Sequence, residues 1–175
     1  MNPNAVEQRR AAFPMRLAAG LVDLMMVLLA GIALFTAAGL VDAEPRPGLP
    51  VVLLGLTTAL VLVPGDGGRR GQTVGRVLLG TQVVQFNGRR LGWARALLRW
   101  AARFAPVAVA LLVAPLGFLA LLYLAADHLW PLLDGDGRAL HDIAAGSRVV
   151  RVAHDPDEPW GGGLIARLVG RATSA

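Results

Sequence analysis

Apolar residues run almost unbroken through three stretches of the chain, Leu17 to Leu40, Val51 to Val63 and Phe104 to Leu133, and polar residues fill the intervals. A hydrocarbon core about 30 Å thick takes roughly 20 helical residues to cross, so the first stretch predicts a membrane-spanning helix. The second predicts another span, but it is short and must borrow Leu49 and Pro50, thin the bilayer or lean on neighbours. Between them "EPRPGLP", Glu44 to Pro50, is a Pro/Gly turn, and "PGDGGRRG" ends the second run. The third stretch is punctuated by Pro106, by "APLG" at Ala114 to Gly117 and by Pro131. It predicts a membrane-embedded helical hairpin about Pro115-Leu116-Gly117, with one kinked third span as the alternative.

The polar middle carries a different period. "RVLLGTQVVQFNGRRLG" alternates β-branched and polar residues and closes on Asn87-Gly88, a tight-turn dipeptide, which predicts a short strand or hairpin. "GWARALLRWAARFAP" spaces Arg95, Arg99 and Arg103 by four, with Leu and Trp between, which predicts an amphipathic helix on the membrane surface. "LLGTQVVQ" (Leu78 to Gln85) is echoed by "AAGSRVVR" (Ala144 to Arg151), with Gly80/Gly146, Thr81/Ser147, Val83/Val149 and Val84/Val150 in register. If the two strands pair they share one side of the membrane, so an even number of crossings separates them, which favours the hairpin. The rival reading is a chance echo in a Val/Gly-rich chain.

Composition agrees with the membrane reading: 55% of the 175 residues are hydrophobic and 17% charged, against about 25% charged in soluble domains. The net charge of +5 comes from 17 basic residues, all arginine. Their concentration between Arg69 and Arg103 predicts a cytoplasmic connector and, with it, cytoplasmic N- and C-termini in the cell membrane. Basic surface held against lipid leaves no expectation of nucleic-acid binding. Arg9, Arg10 and Arg16 ahead of an apolar run resemble a leader, but the run to Val41 exceeds a secretory core of about 7 to 15 residues. The organisation read from this is an N-terminal arm (1–12), a membrane domain (13–152) and a flexible tail (153–175).

With no cysteine, disulfides and thiolate metal sites are excluded. His128, His141 and His154 each neighbour an aspartate without ligand spacing on one helix face, so no metal is expected. His141 reads as a local hydrogen-bonding residue beside Asp142. "DGDGRALHD" has Arg138 at a calcium-ligand position, and "GDGGRRGQTVGR" lacks the Gly-Lys-Ser/Thr of a phosphate loop. No nucleophile, base and orienting acid stand together; neither an enzyme nor a cofactor is expected.

Arg16 and Asp23 are the anomaly, two charges in the first apolar helix. Seven apart, they share a face with Ala19, Gly20, Val27, Ala30, Gly31, Leu34 and Ala38, while Leu17, Leu21, Leu24, Met25, Leu28, Ile32 and Phe35 lie opposite. Small residues admit neighbouring helices and large ones suit lipid, so Asp23 is expected to point into the protein. An aspartate at a helix centre costs about 2.5 to 3.5 kcal/mol on insertion, which the surrounding apolar residues offset. Two turns is about 10 Å, so a third group must join the two charges.

"FPMRLAAGLVDLMM", "GQTVGRVLLGTQVV...NGRRLGWARALLR" and "LHDIAAGSRVV" resemble the three motifs of the RDD family of bacterial membrane proteins, over Phe13 to Val152. The resemblance places the family's arginine on Arg16, its first aspartate on Asp23 and its second on Asp142. Its central motif falls on Gly71, Gln72, Thr73, Gly75, Arg76 and Gly80, and its closing motif includes His141. It implies a multi-pass membrane protein with a part in transport, and no mechanism. The sequence departs from the family pattern at the Gly-rich "PGDGGRRG" and the acidic "DGDGR". On this reading Arg16, Asp23 and Asp142 form one charged cluster, with Asp23 binding a cation or proton. The structural rival has Arg16 anchored to phosphate or paired with Asp142, and Asp23 locking helices by hydrogen bonds. The expected protein is a small transport-related subunit for cation/proton exchange, working as a homo-oligomer. The alternative is a non-catalytic scaffold for another membrane protein.

Overall fold

In the computed structural model, which describes residues 10–41, 48–113 and 116–152, the first two apolar runs fold as α1 (Phe13–Val41) and α2 (Leu49–Gly67). The expected tail, the arm up to residue 9, residues 42–47 of the first turn and Ala114-Pro115 lie outside the described residues. Pro14 and Pro50 occupy first turns, where a missing backbone N–H costs nothing. Phe13–Ala37 and Leu49–Gly67 are long and apolar enough to cross a membrane, with mean hydropathies of 2.4 and 1.8. Few residues of either helix are buried, unlike the core helix of a soluble protein.

Helix α2 continues past Val63, where a turn was expected. Pro64 to Gly67 stay helical, and the glycines there make room: a Cβ on Gly65 would lie 2.6 Å from Thr73, and one on Gly67 3.1 Å from Trp93. The connector that fills this space is a short helix, α3 (Val74–Leu79), and a strand, β1 (Thr81–Gln85). A turn at Asn87-Gly88 follows, with Gly88 at φ +80°. The returning arm of the expected hairpin is reduced to a lone bridge between Val84 and Arg90.

The expected surface helix and the first arm of the expected hairpin are one helix, α4 (Trp93–Leu112), which runs through Pro106. Helix α5 (Gly117–Leu129) returns, a single 3-10 turn (Trp130–Leu132) follows, and the chain closes with α6 (Leu140–Ala144) and β2 (Ser147–Arg151). The echoed segments pair antiparallel, Val83 opposite Val149 and Thr81 opposite Arg151. Their likeness has a backbone cause. Gly80 follows α3 at φ +64° and Gly146 follows α6 at φ +61°, so each strand leaves a short helix through a left-handed glycine.

Pairing of β1 with β2 requires α4 and α5 to run out and back. Helix α1 packs on α2, α2 on α4 and α4 on α5, whereas α1 and α5 scarcely touch. Arg10 bridges Val150 beside the sheet, and Gly67 abuts Trp93. The start of α1, the end of α2 and the start of α4 therefore gather at the sheet's end of the bundle.

The inward strip of α1 is Ala19, Asp23 and Val27, spaced by four, and Leu17, Leu21, Leu24, Met25, Leu28, Ile32 and Phe35 are all exposed. Gly20, expected on the inward strip, is exposed, so the strip is narrower than the small-residue face suggested. Buried apolar residues are mostly small. Val83, Leu91, Ala96 and Val149 pack beneath the sheet, and Val107, Ala110 and Ala120 lie between α4 and α5. Large apolar residues outside and small ones inside is the arrangement of helices packed in lipid.

A buried arginine–aspartate layer as the candidate functional site

Each long helix brings a charge to the sheet's end of the bundle: Arg16 in the first turn of α1, Asp66 in the last turn of α2, Arg99 and Arg103 in α4, and Asp127 in α5. Helix α3 adds Arg76, and α6 adds His141 and Asp142. Arg99 is the hub. One Nη donates to Asp66, its Nε donates to Asp142 at 2.9 Å, and its other Nη reaches His141 at 2.9 Å. Asp66 also receives Arg76, and Asp142 also receives Arg16 at 2.5 Å. The result is an alternating chain, Arg76, Asp66, Arg99, Asp142, Arg16, that ties five elements together. Charges so buried repay desolvation only when fully hydrogen-bonded. Asp142 meets that condition, accepting also from the Ala139 N–H at 3.1 Å and the Ser147 hydroxyl at 3.3 Å. Burial alone would raise its carboxyl, but the charges of Arg99, His141 and Arg16 outweigh burial and hold it well below the usual carboxylate range.

His141 is buried, and its partners fix its tautomer. Arginine only donates, so Nε2, facing Arg99 and Arg103 at 2.9 and 2.7 Å, accepts. Nδ1 then carries the proton and donates to Asp127 at 2.7 Å. Burial, then the charge of Arg103, pushes the imidazole down to about 3, so it is neutral at physiological pH. His141, expected as a local hydrogen-bonding residue beside Asp142, bonds instead to residues distant in the chain, because α6 turns the ring toward α4 and α5.

The structure divides the expected cluster of Arg16, Asp23 and Asp142. Arg16 and Asp142 pair directly, and Asp23 takes other partners. One of its oxygens accepts from the Thr73 hydroxyl at 2.5 Å and the other from the Gly75 N–H at 2.8 Å. The separation along α1 that argued for a third group is the reason: α3 docks on the turn around Asp23, one level further along the helix. A Cβ on Gly75 would collide with the Ala19 carbonyl, so the glycine is what allows α3 to seat. Gly71, at φ +60°, passes its carbonyl to the Val83 N–H at 2.7 Å, and Gln72 donates to the Thr81 carbonyl at 2.9 Å. The central motif thus folds the connector onto α1 and starts β1, while its Arg76 enters the ion chain.

Four members of the layer escaped sequence reasoning: Asp66, Arg99, Arg103 and Asp127. Asp127 carried a signal, being an aspartate inside an apolar run as Asp23 is, and Asp66 was the lone acid of a basic segment. Arg99 and Arg103 were placed on one helix face, but that face turns inward because carboxylates from α2, α5 and α6 meet it.

The layer borders a cavity of about 410 Å³. Arg16, Arg76, Arg99, Arg103 and His141 line it, and Asp23 is its one carboxylate among the described residues. Apolar side chains from α1, α2, α4 and α5 form the remaining wall, including Leu24, Leu54, Val107 and Leu124. Trp100 stands in it, stacked on Phe104 at 5.3 Å and donating to Thr58 at 3.0 Å. Among the described residues no group of His, Asp and Glu converges as a metal site would require.

Apolar helices exposed along their length and closed at one end by a buried ion-pair layer define a helical membrane protein. The chain belongs to the RDD family, whose family model matches residues 10–146. No curated protein and no solved structure matches it.

Proposed function

We propose that this is a multi-pass, non-enzymatic protein of the cell membrane in which α4 and α5 form an embedded hairpin beside the two spans. The sheet end and both termini are cytoplasmic on this reading, and the cavity beside the ion layer is a transport site. The observation that carries the proposal is the cavity wall, where charges from the long helices open onto one internal space of a size that holds a small molecule. The charge of that wall favours an anion. Four guanidiniums face the cavity, and the Asp23 oxygens are engaged by Thr73 and Gly75. A cation or proton on Asp23 would have to displace those donors and sit opposite arginines, so it is the weaker version of the transport reading.

Flux through vesicles containing the purified full-length chain tests this. Phosphate flux lost in Arg103→Gln is the expected result; sodium or proton flux abolished by Asp23→Asn would restore the cation version. Absence of any flux, with a stoichiometric membrane partner in the purified material, would favour the scaffold reading, which draws on the exposed apolar face of α1.

A further inference from the structure

The cavity has a charged end and an apolar length, and it has a side opening. Helices α1 and α5 both line it, yet they scarcely touch, so the bundle α1, α2, α4, α5 is an open row whose two ends leave a lateral gap. Leu17, Leu21 and Leu24 of α1 stand on one side of that gap, each about half exposed, and Leu124 and His128 of α5 on the other. A gap rimmed by exposed leucines between a spanning helix and an embedded hairpin opens into acyl chains, not water.

At the charged end four guanidiniums meet four carboxylates, but the bonding is uneven. Arg16, Arg76 and Arg99 are ion-paired with Asp66 and Asp142 within 2.7 Å, and Asp23 is bonded to Thr73 and Gly75 instead of to an arginine. Arg103 lies 3.8 Å from Asp127, whose oxygens already take His141. The Arg103 Nε is enclosed beside Asp127 without a hydrogen-bond partner among the described residues, one Nη reaches His141, and the side chain is 26% exposed and lines the cavity. A guanidinium only partly hydrogen-bonded, on a wall of guanidiniums, is suited to the oxygens of an anionic group.

We propose that the cavity binds an anionic phospholipid taken from the bilayer, its phosphate held by Arg103 with Arg16 and Arg76, and an acyl chain running along Leu24 and Phe104 out through the gap between α1 and α5. This deepens the transport reading and rests on the cavity's being the ligand site. The volume of about 410 Å³ admits a headgroup and part of one chain, with the remainder in the membrane. Zwitterionic lipids would bring an ammonium group into the same arginines, so the site discriminates by charge.

Trp100, on the cavity wall, supplies the readout. The chain has 4 tryptophans, and Trp93→Phe, Trp130→Phe and Trp160→Phe together leave Trp100 as the sole fluorophore. In vesicles of neutral lipid, phosphatidic acid brominated on its acyl chain is expected to quench Trp100 at a concentration at least about tenfold lower than brominated phosphatidylcholine. Arg103→Gln should abolish that preference, Arg103→Lys keep most of it, and Arg90→Gln, exposed and outside the cavity, leave it unchanged. If Arg103→Gln fails to fold, Leu17→Phe and Leu24→Phe narrow the opening without touching a charge and should weaken the quenching. Equal quenching by both lipids, or no effect of the rim substitutions, overturns the proposal. Relief of quenching by millimolar inorganic phosphate alone would reassign the site to a small soluble anion. Phosphate flux without lipid preference would sink the lipid inference and spare the transport reading; lipid preference without any flux would do the reverse.

Discussion

Asp142 accepts from two guanidiniums, a backbone N–H and a hydroxyl, whereas Asp23 accepts from one hydroxyl and one N–H, and the difference sets what each substitution does. Asp142→Asn leaves Arg16 with no carboxylate partner and Arg99 with Asp66 alone, and should destabilise the protein by about 3 to 5 kcal/mol. Asp23→Asn keeps an acceptor oxygen and should cost about 1 to 3 kcal/mol. Thermal unfolding of the two variants in the same detergent checks the order. His141 makes a second prediction, with a definite sign. Its imidazole falls from 6.5 to about 3 on folding because burial and then Arg103 disfavour the imidazolium, while Arg99 also opposes it and Asp127 and Asp142 only partly compensate. Between those values the unfolded chain binds a proton that the folded one does not, so stability is full above pH 6.5 and declines as pH falls toward 3. The decline approaches about 1.4 kcal/mol per pH unit. His141→Gln should flatten it above the carboxylate range, as melting temperatures taken between pH 7 and pH 5 would show. Of these residues Arg16, Asp23, Asp142 and His141 were legible because a motif marked them. Their partners Asp66, Arg99, Arg103 and Asp127 were not, since matching a charge to its counter-charge is a property of packing and not of neighbours in the chain.

Among the elements, the apolar period marked α1 and most of α2, and the echo marked β1 and β2 together with their pairing. What it missed is instructive. Helix α2 runs on through Pro64-Gly65-Asp66-Gly67 because the glycines admit Thr73 and Trp93 and because Asp66 then reaches Arg76 and Arg99. Local turn chemistry lost to a tertiary reward. The surface helix was misjudged for a similar reason: spacing showed that its arginines share a face, and only the fold shows that this face meets carboxylates. Gly20 of α1 and Gly75 of α3 separate local propensity from packing. Gly20→Ala, exposed and with nothing within 4 Å of the added Cβ, should be neutral or stabilise α1 by up to about 1 kcal/mol. Gly75→Ala drives a methyl into the Ala19 carbonyl and should lift α3 off α1. Hydrogen exchange of the Val74–Gln85 segment would report it, faster in Gly75→Ala and unchanged in Gly20→Ala.

At the scale of the molecule, the ion layer and the sheet act as a clasp on one end of an otherwise apolar bundle. Helices α1, α2, α4 and α5 pack in a row, α2 on α4 most extensively, and at the sheet's end Arg99 of α4 bonds Asp66 of α2 and Asp142 of α6 at once, which fastens α6 and the strand after it to the bundle. Removing that one guanidinium leaves Asp66 to Arg76 and Asp142 to Arg16, with no ion pair joining the α2 and α6 carboxylates, and should loosen α6 and β2 from the bundle while α2 and α4 stay packed. Cysteines placed at Gln82 and Val150, opposite one another across the strands, offer a direct measurement in a chain that has no cysteine of its own. In the parent background they should cross-link readily, since the register holds them together and α4 and α5 return the chain to the same side. In Arg99→Gln the yield should fall several-fold, with helical content nearly unchanged. Undiminished cross-linking in that variant would mean that the sheet holds the clasp alone and that the arginines serve the cavity; loss of helix would mean that the layer is needed to form the bundle and not only to close it.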